Sequence, residues 1–199
     1  MLMKVEFEKF LLLWNEFQGI STPAHHLRMA KWLSNIDKSK NRRGLLMAFR
    51  SSGKSTIVGV FYAWLLYRNP NTRILVVAAD TVLARKMVRN VKRIIETFPM
   101  LEGIRPKKKT EWASGSFTVE RDMALRDPSM MSVELMSNAT GSRADVVICD
   151  DVEVPKNSDS FRKRQDLREK LLEYSFILVP DGMQIFIGTP HTLDTIYKV

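Results

Sequence analysis

The stretch "LLMAFRSSGKSTIVGVFYAW", Leu45 to Trp64, passes from an apolar run through a small polar turn into a helix-like pattern. Working outward from it, short apolar runs alternate with helical patterns: "GLLMAF", the helix after Lys54, "RILVVAA", then "DTVLARKMVRNVKRIIETF". Such alternation predicts an α/β fold, a mostly parallel sheet with helices on both faces. Two further predicted strands, "DVVICDD" and "MQIFIGTP", flank the charged amphipathic pattern "SFRKRQDLREKLLEYSFIL". Ahead of the core, residues 1–43 form an N-terminal helical segment, its second helix opened by Thr22 and Pro23. About 99–139, with "RPKKKTEWASGSFTVERD", reads as a β-rich insertion with mobile loops. No linker or repeat splits the chain, which predicts one domain over 1–199.

Inside the opening stretch, Ala48-Phe49-Arg50-Ser51-Ser52-Gly53-Lys54-Ser55 matches the P-loop pattern G-x-x-x-x-G-K-[ST], with alanine in place of the first glycine. A strand before the motif and a helix after it are the context the motif demands. Gly53 lets the backbone curl so that successive N–H groups face phosphate oxygens, and the helix start presents its positive end. The candidate nucleotide site is thus the loop residues Ser51, Ser52, Gly53, Lys54, Ser55 and Thr56. Lys54 would reach the β- and γ-phosphates, and the Ser55 hydroxyl would ligate Mg²⁺. The plainer alternative is a strand, turn and helix that include Gly-Lys-Ser by chance.

Magnesium on a P-loop needs an acidic partner from a neighbouring strand, and "VVICDD" supplies Asp150. Hydrolysis also needs a carboxylate that orients or activates water. Asp151 follows directly, while Glu153 lies two residues on with a longer side chain, so both are candidates. Cys149, the single cysteine, reads as a buried strand residue rather than a nucleophile.

With "FRSSGKS", "TGSRADVVICDDVEVPKNS" and "IFIGTPHT" all present in order, the chain resembles the ATPase domain of the large terminase subunit of tailed bacteriophages, in the branch called DNA maturase B. The likeness covers most of residues 20 to 199. It implies ATP hydrolysis driving double-stranded viral DNA through a portal into a preformed capsid. In that family an arginine near the start of the phosphate loop accompanies the lysine, which makes Arg50 a second phosphate-facing cation. Gly188-Thr189-Pro190 then looks like the coupling motif, with Thr189 sensing the γ-phosphate. The family's adenine-reading glutamine is missing; His25 and His26 stand in its place, where either imidazole would stack on or hydrogen-bond to a base, with two exposed histidines at a helix start as the alternative. His191 is incidental. The resemblance further implies the portal and small terminase subunit as partners, a ring homo-oligomer when active, possible monomers in isolation, and work in the host cytoplasm at the procapsid portal. Large terminases continue into a nuclease domain for which this chain lacks the length, so an isolated ATPase domain is expected. A helicase-like or remodelling P-loop ATPase, or a nucleotide-dependent assembly module with little turnover, remains the alternative.

A ring motor gains from an arginine donated across a subunit boundary, because such a cation can be worth about 10³–10⁵ in rate. Arg143, just before the acidic strand, is the first candidate; the competing role is pairing with Asp145 or another nearby carboxylate.

Composition agrees with these readings. With 199 residues, 45% hydrophobic and 27% charged, the chain has the make-up of a globular protein. Lys and Arg outnumber Asp and Glu by 31 to 22, a formal charge of +9 that favours polyanionic partners, nucleic acid first. One cysteine excludes a disulfide framework and a Cys-rich zinc site. No segment approaches the roughly 20 apolar residues of a membrane span. Lys107 to Lys109 are a candidate DNA contact, with a solvated loop as the alternative.

Overall fold

The computed structural model describes residues 5–107, 112–137, 139, 141–189 and 194–197. Lys108, Lys109 and His191, named above, lie outside the described residues, as does Pro190.

Helices α1 (Phe7–Phe17) and α2 (Ala24–Lys38) lead into β1 (Arg43–Met47), followed by α3 (Lys54–Arg68), β2 (Ile74–Ala78) and α4 (Thr81–Thr97). After a 3₁₀ turn at Pro99–Ile104 come β3 (Ser116–Phe117), β4 (Met130–Glu134), β5 (Ala144–Asp150), α5 (Pro155–Ser158), α6 (Phe161–Glu173) and β6 (Leu178–Gly188). The six strands form one sheet in the order β1-β6-β5-β2-β4-β3. Among these named strands only the β3–β4 pairing is antiparallel.

The apolar runs behave as strands buried on two faces should. Ile74, Val76, Val146, Ile148, Met183, Ile185 and Ile187 point into one core with α1, α2, α3 and α4. Their alternates Leu75, Val77, Val147 and Cys149 point into the other, against Leu167 and Leu171 of α6. Helix α3 lies between the sheet and the N-terminal helices, and every residue from Ile57 to Leu66 is buried. That all-round burial explains why "IVGVFYAWLL" has no polar face. Phe7 meets Phe61 edge-on at 4.9 Å, and the Trp64 indole N–H donates to the Val5 carbonyl at 2.8 Å, so α1 is stitched to α3.

Asp37 near the end of α2 takes ion pairs from Arg42 and from Arg68 of α3. Burial pushes its carboxyl up, but the hydrogen bonds and charges of Arg68 and Arg42 outweigh that and hold it below the ordinary carboxylate range. The N-terminal helices are thereby tied to both ends of the phosphate-loop unit.

Within 99–139, read above as a β-rich insertion, β4 is a full member of the sheet, running parallel to β2 from Ile74↔Met130 to Ala78↔Glu134. Its polar spacing concealed it because both Ser132 and Glu134 sit near the sheet edge, where only β3 follows. Among the described residues no helix is long and apolar enough to cross a membrane.

Candidate functional site

Three strand ends meet at one edge of the sheet because β6 lies between β1 and β5. Met47 pairs with Gly188, and Ile187 pairs with Asp150. Beyond these ends, the phosphate loop, Thr189 and Asp151 surround a cavity of about 730 Å³, lined also by Leu83 of α4 and by Val154 and Pro155. Its position outside the carboxyl ends of parallel strands is where open α/β sheets bind ligands. Its size suits a nucleotide-sized molecule.

Every predicted phosphate-loop residue lines this cavity: Arg50, Ser51, Ser52, Gly53, Lys54, Ser55 and Thr56. Two left-handed residues shape the loop, Ser51 at φ 67° and Gly53 at φ 79°. Gly53 is the N-cap of α3, so the unpaired N–H groups of the first helical turn point into the cavity mouth. A side chain on Gly53 would also collide with His26, its Cβ falling 2.5 Å from Nε2. Lys54 is buried, and its Nζ donates to Thr189 Oγ1 at 3.0 Å. Thr189 in turn donates to the Ala48 carbonyl at 3.4 Å. Arg50 is exposed at the rim.

The carboxylates divide. Asp150, at the end of β5, is largely buried, and burial followed by the Asp151 charge pushes it up to about 7 against the pull of Lys54. Among the described residues its Oδ1 has no hydrogen-bond partner, and neither has the buried Ser52 hydroxyl. An orphaned carboxylate oxygen beside Ser55, both lining an adjoining cleft, fits a Mg²⁺ ion, which keeps several waters and takes only one or two carboxylates with substrate phosphates. That sparse demand agrees with the lack, among the described residues, of any cluster of three or more His, Cys, Asp or Glu. Asp151 turns off the strand with φ 45°, its N–H donating to the Ile187 carbonyl at 2.8 Å, and its side chain lines the cavity.

Glu153 does not. It is 1% exposed, and its Oε2 accepts from the Thr195 hydroxyl at 2.8 Å and from the Ile196 N–H at 2.6 Å. Tyr197 completes the cover, lying so close over Gly188 that a Cβ there would fall 2.4 Å from its ring. The longer reach expected of Glu153 is spent on residues 195–197 rather than toward the phosphate loop.

Arg143 also stands apart. It precedes β5 whereas Asp150 ends it, so the two are separated by the strand's length, roughly 20 Å at about 3.3 Å per residue. Closeness in sequence to the acidic motif placed it on the wrong end of the sheet for its own site. It does not pair with Asp145 either, which is held by Arg73 at 3.0 Å. Arg143 is exposed, its backbone N–H donating to Asp127.

The histidines serve the loop rather than an open base pocket. His25 and His26 each place Nε2 3.1 Å from the Ser52 carbonyl, so both donate to one oxygen. Burial, opposed by that hydrogen bond and helped by His25, holds His26 below the ordinary imidazole range. Leu83, Val154 and Pro155 are cavity residues that no sequence signal marked. Of the lysine run, Lys107 is exposed and pairs with Glu120 at 3.3 Å.

No family model matches the chain. In sequence it is 36% identical over 199 residues to the terminase large subunit of Enterobacteria phage T3, covering 98% of this chain and 33% of that protein. The chain therefore spans about a third of the length of that relative. Among solved structures, the Thermus phage P74-26 large terminase ATPase domain superposes with a TM-score of 0.55 at 20% identity, over 92% of this chain and 70% of that one. The HK97 bacteriophage large terminase does so with 0.55 at 12%, over 85% and 33%. S. cerevisiae dbp5, solved with nup159, gle1, IP6 and ADP, gives 0.55 at 13%, over 92% and 47%. At these identities the structural likeness is one of fold, and the fold is that of P-loop ATPase domains.

Proposed function

We propose, from a sequence likeness to a terminase large subunit that runs through nearly the whole chain, that this protein is the ATP-hydrolysing unit of a motor that moves double-stranded DNA into a viral capsid. One observation carries the reading: Lys54, Thr189 and Asp151 converge on the cavity at the ends of three adjacent strands, beside an unpartnered Asp150 oxygen. Lys54, Arg50 and the N–H groups of the loop bind the phosphates. Ser55 and Asp150 hold Mg²⁺, which supplies charge neutralisation when bound. Asp151 orients the attacking water. Thr189 lies on Lys54, so a γ-phosphate that draws the ammonium away changes the threonine's partner, a local change that strand β6 can pass on.

Portal protein, a small terminase subunit and a ring of copies belong to the same proposal, as does work in the host cytoplasm at the portal. A single P-loop domain over 1–199 is the unit proposed to do the chemistry. DNA contacts in such a motor are chiefly to phosphates, since every sequence must pass.

Phosphate release measures the first step. Lys54→Ala and Asp151→Asn are each expected to lose most turnover while keeping the wild-type circular dichroism spectrum. Normal turnover by folded Lys54→Ala protein would refute the site. DNA protected from nuclease in the presence of procapsids and ATP tests packaging, and strand separation without such protection would favour a helicase-like ATPase instead.

A further inference from the structure

Helix α4 carries more cations than its packing uses. Lys92 is spent internally, its Nζ donating to the Trp112 carbonyl at 2.9 Å and lying 4.9 Å from the centre of that ring. Lys86, Arg89 and Arg93, by contrast, are exposed and have no ion pair or side-chain hydrogen bond among the described residues. Their spacing of three and four residues puts them on one face. They do not stand on a convex surface: all three line a cleft of about 540 Å³ whose far end is Ser55, Thr56, Asp150 and Asp151. The cleft runs into the ATP cavity, which shares Ser55, Thr56, Leu83 and Asp151 with it.

We propose that this α4 cleft is a track for the phosphate backbone of duplex DNA, directly joined to the ATP site; the inference rests on reading the chain as a DNA-moving ATPase. The chemistry favours nucleic acid over an acidic protein segment. From Lys86 to Arg93 the helix rises roughly 10 Å, which matches about three phosphates of one strand at roughly 3.4 Å each along the duplex axis. Two of the three cations are arginines, whose planar donors suit phosphate oxygens. The one amide in the cleft, Asn90, is packed over Gly59 of α3, where an added Cβ would fall 2.4 Å from its Nδ2. The wall therefore offers chiefly positive charge, which is what a sequence-indifferent contact to phosphates requires.

The same geometry couples the two ligands. Asp150 and Asp151 place negative charge at the cleft's end and repel a passing phosphate unless a cation offsets them. DNA should then bind more tightly when Mg²⁺ is held there, and by linkage Mg²⁺ should bind more tightly on DNA by the same factor.

The test uses a fluorescent, random-sequence short duplex with the 199-residue chain, titrated across a salt series, with and without Mg²⁺ and a non-hydrolysable ATP analogue. Lys86→Gln/Arg89→Gln/Arg93→Gln is compared with Lys31→Gln/Arg162→Gln/Arg168→Gln, which removes equal charge from α2 and α6. The α4 variant is expected to weaken binding about 10- to 100-fold and to lower the salt slope by about 2–3, near 0.9 per lost phosphate contact. The control variant should change affinity less than about twofold, and Mg²⁺ at fixed ionic strength should tighten binding by wild type and control alike but not by the α4 variant. Equal losses in the two variants, an unchanged slope, or equal binding of polyglutamate at matched charge would overturn the DNA track. Basal phosphate release without DNA separates the two failures: a wild-type chain that never turns over ATP refutes the proposed function, whereas one that turns over but binds no duplex refutes this inference alone.

Discussion

Glu153→Ala offers a sharp test of how the acidic motif divides its labour. In the wild type, one buried oxygen of Glu153 accepts from Thr195 at 2.8 Å and from the Ile196 N–H at 2.6 Å. Removing the acceptor leaves two donors in a buried place, each costing about 1–3 kcal/mol. Against that, the carboxylate's other oxygen is buried with no partner among the described residues, so losing the group recovers roughly 1–2 kcal/mol of desolvation. The net expectation is a loss of about 2–3 kcal/mol, which for a chain of this size lowers Tm by roughly 5–10 °C. Glu153→Gln keeps an acceptor and should lose less than half as much. Both variants, assayed below their own Tm, should release phosphate at a rate within about threefold of wild type, since the side chain is turned away from the cavity. Scanning calorimetry and steady-state phosphate release measured on the same samples decide the matter. An unchanged Tm with turnover lost in Glu153→Gln would refute this reasoning and return Glu153 to the role of water-positioning base.

Gly53→Ala should cost about 1–2 kcal/mol for a left-handed alanine plus about 1 kcal/mol for displacing His26, read by chemical denaturation; adding His26→Ala should remove the clash but not the backbone cost. Asp150, raised to about 7, favours the fold while protonated, so without Mg²⁺ its contribution is full below about pH 4 and is lost as pH rises through about 7. Asp150→Asn should therefore be more stable than wild type at alkaline pH, by at most about 4 kcal/mol, with a gap that closes toward acid or on adding Mg²⁺-nucleotide; no pH dependence of the gap would contradict the burial. Arg143→Ala should leave the turnover of dilute, monomeric chain unchanged, because the residue lies at the other end of β5. If Arg143 acts across a subunit boundary, mixing Arg143→Ala with Lys54→Ala chains should restore activity in mixed oligomers, and no rescue would remove it from the mechanism.

What the sequence by itself determined was local: the strand-turn-helix around Gly53-Lys54-Ser55, the buried run ending at Asp150, and the alternation that makes a parallel sheet. These are legible because strand burial and phosphate-loop geometry depend on neighbours a few residues away. The order of the strands was not legible, and it is what brings Thr189 onto Lys54 across 135 residues. Nor could spacing tell which of Asp151 and Glu153 lines the cavity, since residues 195–197 fold back to take Glu153, a contact some 40 residues distant. Arg143 shows the same limit from the other side. Seven residues look close in a chain, but an extended strand turns them into the full depth of the sheet, so only the tertiary structure could decide which end of β5 faces the cavity.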